Sequence, residues 1–244
     1  MIVFPMAGLS RRFAEAGYDL PKYMLEAHGR TLFAHAVGGF SAYFGKLPFL
    51  FIARDVQGTA DFIRAEAERM GLADYRLVIL EEPTAGQAET VELGLRQAGI
   101  GSGEPLSIFN IDTFRPGFRF PDEFDLAEVD GYLEVFRGEG PNWSYVRPAA
   151  SGGYRVAETT EKVPISDLCC TGLYHFGSAG LFLDAYERFK NGEAAKLGLK
   201  ELYVAPMYNL LLRDGRDVRY HLIDTADVIF CGIPAEYDAF LREG

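Results

Sequence analysis

The sequence predicts an α/β fold built on a mostly parallel sheet. Two observations favour this class. Apolar runs of strand length alternate with segments of helical period over the first half, and shorter strand-like runs separated by turn residues fill much of the second half. The order strand–helix–strand implies right-handed crossovers between parallel strands. A chain of 244 residues can also bury the core that such a sheet needs.

The first half follows a regular alternation. Its apolar runs predict strands at residues 1–5, 49–53, 75–80 and 105–112. Helical periodicity predicts the intervening helices at residues 31–44, 61–71 and 87–99. Leu32, Ala36 and Phe40 share one face of the first helix, and Gly71 is expected to end the second.

After Asp112 the pattern is typical of an antiparallel insertion. Short strands are expected at residues 130–136, 143–148, 153–158 and 168–176. Helices at 178–190 and 199–213, a strand at 218–223 and a helix at 235–242 complete the prediction. Because no repeat, low-complexity segment or long linker interrupts the sequence, we expect one domain over residues 1–244. Its second half is expected to form a lid or a second subsite.

Composition excludes several classes of protein. Thirty-five acidic residues against 24 basic ones give a net charge of −11, which disfavours a nucleic-acid partner or an anionic membrane. No apolar stretch approaches the roughly 20 residues of a membrane span. The N-terminal apolar run is too short for a secretory signal, and its charges follow it. Three cysteines, of which Cys169 and Cys170 are adjacent, do not make a disulfide framework. We therefore expect a protein of the reducing cytoplasm.

Two basic features follow the first strand. A turn of small residues, Ala7 and Gly8, predicts outward-facing backbone N–H groups, and Arg11 and Arg12 add fixed positive charge suited to phosphate oxygens. No Gly-Lys-Ser/Thr follows, so this is not a Walker loop, and a solvated surface loop explains the pattern equally well. Ten residues further on, Pro21 stiffens the backbone before Lys22, although most lysines are simply solvated.

The run "PMAGLSRRF…PKYML…GRTLFAHAV" resembles the N-terminal signature of the nucleotidyltransferases, which make nucleoside-diphosphate sugars and CDP-alcohols. The resemblance aligns Gly8 with the first glycine of the signature, Arg12 with its arginine and Lys22 with its lysine. Ser10 and Arg11 replace the second glycine and a Ser/Thr, so either arginine can meet the triphosphate, and the register favours Arg12. The resemblance implies that nucleotide-binding residues of this loop are Met6, Ala7, Gly8, Ser10 and Arg11, and that Arg12 and Lys22 are catalytic.

The resemblance extends to the base pocket and the metal site. "EPTAGQAETV" is similar to the loop that lines the nucleobase pocket, which implies that Gly86, Gln87 and Thr90 bind the nucleotide; a helix N-terminus is the simpler explanation. "IFNIDT" resembles the segment with the metal-binding aspartate, which implies Asp112. The second aspartate of the family aligns with Phe230. "LIDTADV" resembles the ending of cytidylyltransferases, so Asp224 is the expected replacement, favoured over Asp227.

The acceptor side is implied by two further segments. "AETTEKVPISD" is similar to the family's Glu-Lys segment, which assigns Glu161 to acceptor hydroxyls or amines and Lys162 to the acceptor phosphate as a catalytic residue. "CTGLYHF" resembles the strand that follows, where Gly172 lets the acceptor lie close. Trp143 is expected on the acceptor side, with strand packing as an equal alternative.

The resemblance implies a three-layer, Rossmann-like fold of the GT-A-like nucleotidyltransferase type, with an NTP-binding half at residues 1–112 and an acceptor-binding half at residues 113–244. It implies Mg²⁺-dependent transfer from an NTP to a phosphorylated small molecule, with release of pyrophosphate. The whole run is especially similar to cytidylyltransferases of bacterial capsule pathways, including the Campylobacter-type CTP:phosphoglutamine enzymes, which favours CTP.

Other partners and activities stay open in the sequence. A hexose 1-phosphate is an equally good acceptor, and assembly into a homo-oligomer is not decided. One alternative is a glycosyltransferase of the related fold, in which "NID" is a degenerate metal motif. Another is a catalytically silent nucleotide-binding regulator, suggested by Phe230 at the ligand position.

Overall fold

A computed structural model gives the structure of the chain and describes residues 1–243. The chain forms two compact units. The N-unit comprises residues 2–83, 109–119 and 226–243, and the C-unit comprises residue 1 with residues 84–108 and 120–225.

The strands of the described residues are β1 (Ile2–Met6), β2 (Glu26–Ala27), β3 (Arg30–Thr31), β4 (Phe49–Arg54), β5 (Tyr75–Leu80), β6 (Leu106–Phe109), β7 (Thr113–Phe114), β8 (Gly131–Arg137), β9 (Ser144–Pro148), β10 (Val156–Glu161), β11 (Leu168–Phe176), β12 (Val218–Leu222) and β13 (Ile229–Phe230). The α-helices are α1 (Arg11–Glu15), α2 (Leu32–Gly38), α3 (Thr59–Arg69), α4 (Gln87–Gln97), α5 (Ala179–Arg188), α6 (Ala194–Lys196), α7 (Tyr208–Arg213) and α8 (Pro234–Arg242). Short 3₁₀ turns occur at Lys22–Met24, Ser41–Tyr43, Ala205–Met207 and Thr225–Asp227, and a π-turn at Phe189–Glu193.

The N-unit is built on the parallel strands β1, β4 and β5. Both faces of β4 are covered, so its apolar side chains are buried without alternation, as expected of a parallel strand between layers of helix. Phe4 lies at the centre of this core, with ring centroids 5.6 Å from Phe40 and 6.1 Å from Phe109. The pair β7 and β13 is antiparallel and joins residues 113–114 to the C-terminal segment.

The C-unit contains the antiparallel pairs β10/β9, β9/β11 and β11/β8, and β12 runs parallel to β8. Every residue of β11 is buried. The register of β11 against β8 shifts between Cys170 and Tyr174. Gly172 lies at this irregularity with a φ of 101°, a conformation that side-chain-bearing residues rarely adopt. The expected antiparallel insertion is therefore present.

Two expected helices are shorter than their periodicity suggests. The helix expected at 31–44 ends at Gly38, and a separate 3₁₀ turn covers Ser41–Tyr43. A Cβ atom on Gly39 would lie 2.4 Å from the carbonyl oxygen of Arg115. The helix expected at 199–213 becomes helical only at Ala205, because the backbone of Leu202 is hydrogen-bonded to Ala85 and Ala88 instead.

The strand expected at 105–112 ends at Phe109, which leaves Asp112 in the turn before β7. None of the helices within residues 1–243 has the length and apolar character to cross a membrane. Cys169, Cys170 and Cys231 are free and buried.

Candidate active site

The loop after β1 carries the two neighbouring arginines. Met6 and Ala7 are buried at its start, whereas Gly8, Arg11 and Arg12 are exposed. Over residues 1–243, neither guanidinium group has a hydrogen bond or ion pair. The protein therefore leaves two positive charges at this loop unneutralised.

The backbone conformation of Ser10 explains why the signature that the sequence resembles has a glycine at this position. Its φ of 49° is left-handed, a region that glycine enters without the steric cost other residues meet. The hydroxyl group does not cap helix α1; instead Ser10 Oγ accepts a hydrogen bond of 3.3 Å from the backbone N–H of Lys22. The loop and the lysine segment are thus joined directly.

Lys22 begins a 3₁₀ turn whose next two side chains, Tyr23 and Met24, are buried. The Tyr23 hydroxyl lies 2.8 Å from Thr59 Oγ1, which anchors the turn to helix α3. Pro21 precedes it in an extended conformation. The lysine is therefore presented from a fixed backbone, as the Pro-Lys pair predicts.

Lys22 Nζ donates to Asp112 Oδ2. The two side chains are 21% and 20% exposed, so the ion pair is accessible but partly screened from solvent. Since Asp112 lies at a turn just beyond strand β6, it occupies the type of position where sites form in open α/β sheets. The structure thus brings together two residues that lie 90 positions apart in the sequence.

The C-terminal segment lies against Asp112. Cys231 N donates to the Asp112 carbonyl oxygen at 2.8 Å, and Phe230 pairs with Thr113 in the strand register. A Cβ atom on Gly232 would lie 3.2 Å from Asp112 Oδ2. The segment around Phe230 is therefore a neighbour of Asp112. Phe230, which the sequence resemblance aligns with the family's second metal ligand, has no carboxylate.

The carboxylate of Asp112 can be compared with what a Mg²⁺ ion, implied by the sequence resemblance, would require. Within residues 1–243 no group of three or more His, Cys, Asp or Glu side chains could hold a metal. Mg²⁺ needs only one or two protein carboxylates, because it retains water and binds phosphate oxygens. Asp112, with the small Gly232 beside its carboxylate, suits that requirement.

The two candidates for a second carboxylate are both exposed. Asp224 follows strand β12 in the C-unit. Asp227 lies in the N-unit, where its carbonyl oxygen accepts a hydrogen bond of 2.7 Å from Arg115 Nη1. The assignment of Asp224 as a metal ligand stays a prediction.

The loop expected to line a nucleobase pocket precedes helix α4 in the C-unit. Gly86 is the N-cap of α4, with φ 148° and ψ −176°. The Thr90 hydroxyl is buried and bonded to Thr84 Oγ1 at 2.7 Å and to the Gly86 carbonyl at 3.1 Å. The Thr90 side chain therefore stabilises the loop through hydrogen bonds to its own residues. Of the side chains expected to bind the base, that of Gln87 is more accessible than that of Thr90.

Glu161 ends strand β10 with only 5% of its side chain exposed. Burial raises the pKa of the Glu161 carboxyl, while the hydrogen bond from Ser144 Oγ and the charge of Lys162 oppose the rise. Ser144 Oγ also lies 3.5 Å from the hydroxyl of Tyr174, whose pKa burial raises well above the ordinary value. These three side chains form a largely buried polar cluster.

Lys162 follows directly, with 45% of its side chain exposed and its Nζ 3.9 Å from Glu161 Oε1. Trp143 is partly buried and packs edge-on against Phe136, with ring centroids 5.1 Å apart. Its indole N–H donates to the Glu139 carbonyl at 3.3 Å. The contact with Phe136 is the strand packing that the sequence left as the alternative to an acceptor role.

Two tyrosines at this site, Tyr174 within the cluster and Tyr203 beside Lys162, were not predicted from the sequence. Strand alternation could have indicated Tyr174, because it lies two residues after Gly172 and therefore on the same face of the predicted strand. Tyr203, whose hydroxyl accepts a hydrogen bond of 2.6 Å from Lys162 Nζ, lies in a segment that the sequence assigned to a helix and carries no motif.

Comparison with solved structures finds similar proteins. A nucleoside-diphosphate-sugar pyrophosphorylase from Vibrio cholerae RC9 is 51% identical, with a TM-score of 0.94, over 99% of this chain and 100% of that chain. A glucose-1-phosphate thymidylyltransferase-like protein from Bacillus anthracis is 15% identical, with a TM-score of 0.74, over 99% and 93% of the two chains. The inositol-1-phosphate CTP transferase of T. maritima is 16% identical, with a TM-score of 0.72, over 100% and 96%.

Neither a family model nor a curated protein matches the chain. The two more distant structures share the fold, and together with the Vibrio structure they confirm the mixed α/β class with a mostly parallel sheet. Half of all positions are shared with the Vibrio protein over essentially the full length of both chains. The chain therefore belongs to the nucleotidyltransferases, the enzyme family of the nucleoside-diphosphate-sugar pyrophosphorylases.

Proposed function

We propose that the enzyme transfers a nucleotidyl group from an NTP, preferably CTP, to a phosphorylated small molecule and releases pyrophosphate, with Mg²⁺ as cofactor. The observation that carries the proposal lies within the N-unit. There the Lys22–Asp112 pair is joined through Ser10 to a loop with two unneutralised arginines. Cations beside a single accessible carboxylate suit a triphosphate bound with a divalent ion.

Charge is the main obstacle to this reaction, because both substrates are polyanions. Arg12 and Lys22 would neutralise the triphosphate, with Arg11 as the alternative arginine. Asp112 would hold Mg²⁺, which supplies further neutralisation of phosphate charge. Positioning and charge neutralisation account for most of the catalysis in phosphoryl-type transfers. No general base is required, since a phosphomonoester is already a nucleophile at neutral pH.

The C-unit supplies groups suited to the acceptor. Lys162 offers an exposed ammonium group for the acceptor phosphate, and the adjacent Glu161 offers a carboxylate for hydroxyl or amine groups. We assign nucleobase contacts to Gly86, Gln87 and Thr90. These assignments give residues 1–112 the NTP-binding role and the rest of a single domain the acceptor role.

The substrates are inferred from the relatives and the sequence. The T. maritima relative is an inositol-1-phosphate CTP transferase, and another neighbour is a UDP-glucose pyrophosphorylase that was solved with UDP-glucose. Sugar phosphates are therefore the first acceptors to test, and the sequence adds a phosphoglutamine-like acceptor with CTP as donor. The product is proposed to serve capsule or surface-glycan synthesis in the cytoplasm.

A screen of four NTPs against glucose 1-phosphate, inositol 1-phosphate and phosphoglutamine, with Mg²⁺, tests the proposal by pyrophosphate release. Release from CTP with one acceptor is expected. Lys22→Ala should abolish most of it, whereas Lys46→Ala, which changes an exposed lysine of the same unit, should not. Binding of NTPs without release would favour a silent regulator. Transfer from preformed nucleotide sugars would favour a glycosyltransferase.

A further inference from the structure

The side chain of Lys162 has a partner that the sequence does not predict. Lys162 Nζ donates to the Tyr203 hydroxyl at 2.6 Å and lies 4.5 Å from the centroid of the same ring. Tyr203 thus contacts the ammonium group through both a hydrogen bond and a cation–π interaction. Partial burial alone would lower the pKa of Lys162, but the Tyr203 hydroxyl and the carboxylates of Glu161 and Glu201 raise it, so the side chain stays charged.

The backbone of Lys162 is also unusual. Its φ is 59°, a left-handed conformation that is uncommon for residues other than glycine. Successive side chains of a strand point to opposite faces. Because Lys162 leaves the strand conformation directly after β10, its ammonium group lies beside the Glu161 carboxylate. The Lys162 N–H donates to the Trp143 carbonyl at 2.9 Å, which fixes this turn.

Tyr203 belongs to a bridging segment, residues 202–209, that is fixed to β10 by hydrogen bonds. Thr159 Oγ1 donates to the Ala205 carbonyl at 2.7 Å. The Asn209 side chain accepts from Thr159 N at 2.9 Å and donates to Thr159 O at 2.7 Å. These hydrogen bonds fix residues 205–209, which directly follow Tyr203, to Thr159 near the end of β10.

Leu202, the residue before Tyr203, is hydrogen-bonded to the loop at Gly86. Leu202 N donates to Ala85 O at 2.8 Å, and Ala88 N donates to Leu202 O at 2.9 Å. Two consecutive residues of the bridging segment therefore contact the loop assigned to the nucleobase and the lysine assigned to the acceptor phosphate.

We infer that Tyr203 is a positioning residue that holds the Lys162 ammonium group for the acceptor phosphate, on a segment that also fixes the Gly86 loop. The inference rests on the proposed role of Lys162. Tyr203 restricts a flexible side chain to one orientation before the acceptor arrives, so less rotamer freedom is lost on binding. It acts through Lys162 and needs no contact with the nucleotide.

The Tyr203→Phe variant removes only the hydroxyl group and keeps the ring. With the acceptor that supports turnover, its KM is expected to rise about fivefold to tenfold, within the range for a hydrogen bond to a partly exposed charged group. The KM for the NTP should not change, and kcat should change by less than about threefold. Tyr154→Phe is the matched control, since it removes a hydroxyl from an exposed tyrosine of the same unit that packs against Tyr220.

A double-mutant cycle separates positioning from a general structural role. If Tyr203 acts through Lys162, the Tyr203→Phe effect on the acceptor KM should disappear in a Lys162→Ala background. Additive effects would overturn the inference. A raised KM in Lys162→Ala with no change in Tyr203→Phe would overturn the inference and keep the proposed function. An unchanged acceptor KM in both would remove Lys162 from the acceptor site and, with it, the inference.

A direct measurement needs no turnover. Reductive ¹³C-methylation labels the lysines, and the NMR signal of Lys162 is the one missing from Lys162→Ala. Tyr203→Phe should lower the pKa measured from this signal and weaken its response to inorganic phosphate, and Tyr154→Phe should do neither. The same pKa in Tyr203→Phe and in the native enzyme would refute the contact.

Discussion

Replacing Gly86 by alanine should destabilise the enzyme through two separate effects. The φ of 148° and ψ of −176° at Gly86 lie in a region that is essentially restricted to glycine, and a strained residue costs about 1–3 kcal/mol. The new Cβ atom would lie 2.6 Å from Leu202 N and 2.7 Å from Leu202 O. These are backbone atoms and cannot rotate away. Displacing Leu202 would weaken hydrogen bonds worth about 1 kcal/mol each.

The expected loss is about 3 kcal/mol, or a fall in Tm of about 6–12 °C for a chain of this size. Differential scanning calorimetry measures it against two controls in the same unit. Gly99→Ala has a φ of 63° but open space around the new Cβ atom, so it reports the cost of a positive φ without a steric clash. Gly103→Ala has open space and no positive φ, so it should leave Tm unchanged or raise it slightly. If Gly86→Ala is no worse than Gly99→Ala, Leu202 does not pack against the loop as described.

Three further results are expected. Lys22→Ala should lower kcat about 10²–10³-fold, the usual effect of removing one charge-stabilising group in a closed site, and its circular dichroism should match that of the native enzyme; near-native kcat would contradict the assignment. Asp112→Asn should abolish activity, and Asp224→Asn should lower it nearly as much, whereas Asp227→Asn should leave it near native. Equal activity of Asp224→Asn and Asp227→Asn in a pyrophosphate-release assay would remove Asp224 from the metal site. Burial raises the pKa of Glu161 above its ordinary value of 4.5, so the folded enzyme binds the Glu161 carboxyl proton more tightly than the unfolded chain does. As the pH rises and this proton is lost, the free energy of unfolding of the native enzyme therefore falls. Urea unfolding should therefore show Glu161→Gln gaining stability over the native enzyme as the pH rises above about 4.5, and a constant difference would contradict the burial.

The local sequence predicted those elements that depend on their own residues, above all the strands whose side chains are buried on both faces of the sheet. The apolar runs at Phe49–Arg54 and Leu168–Phe176 are strands at nearly the expected bounds, because a strand covered on both faces has no polar alternation to obscure it. The end of helix α2 at Gly38 was not predictable, because the apolar period continues to Phe40 although the chain changes to a 3₁₀ turn at Ser41–Tyr43. Residues 199–204 have a helical composition, but the Leu202 backbone bonds to Ala85 and Ala88.

The site shows the same division. The motif around Arg12 and Lys22 was recognised from its spacing, and the structure joins its parts through Ser10. Asp112 was expected at the end of a strand and lies in the turn that follows it. Tyr203 lies 41 positions from Lys162 and belongs to no motif. A contact made by one side chain across that separation leaves no periodic signal in the sequence.

The hydrogen bonds between Asn209 and Thr159 also bear on aggregation. Strand β10 is the last strand in the order of its sheet, and an exposed edge offers N–H and carbonyl groups to which another chain can add. The Asn209 amide occupies both groups of Thr159, in the way that the peptide group of a further strand would. The Asn209 side chain thus withholds the N–H and carbonyl groups of Thr159, in the middle of this edge, from intermolecular strand addition.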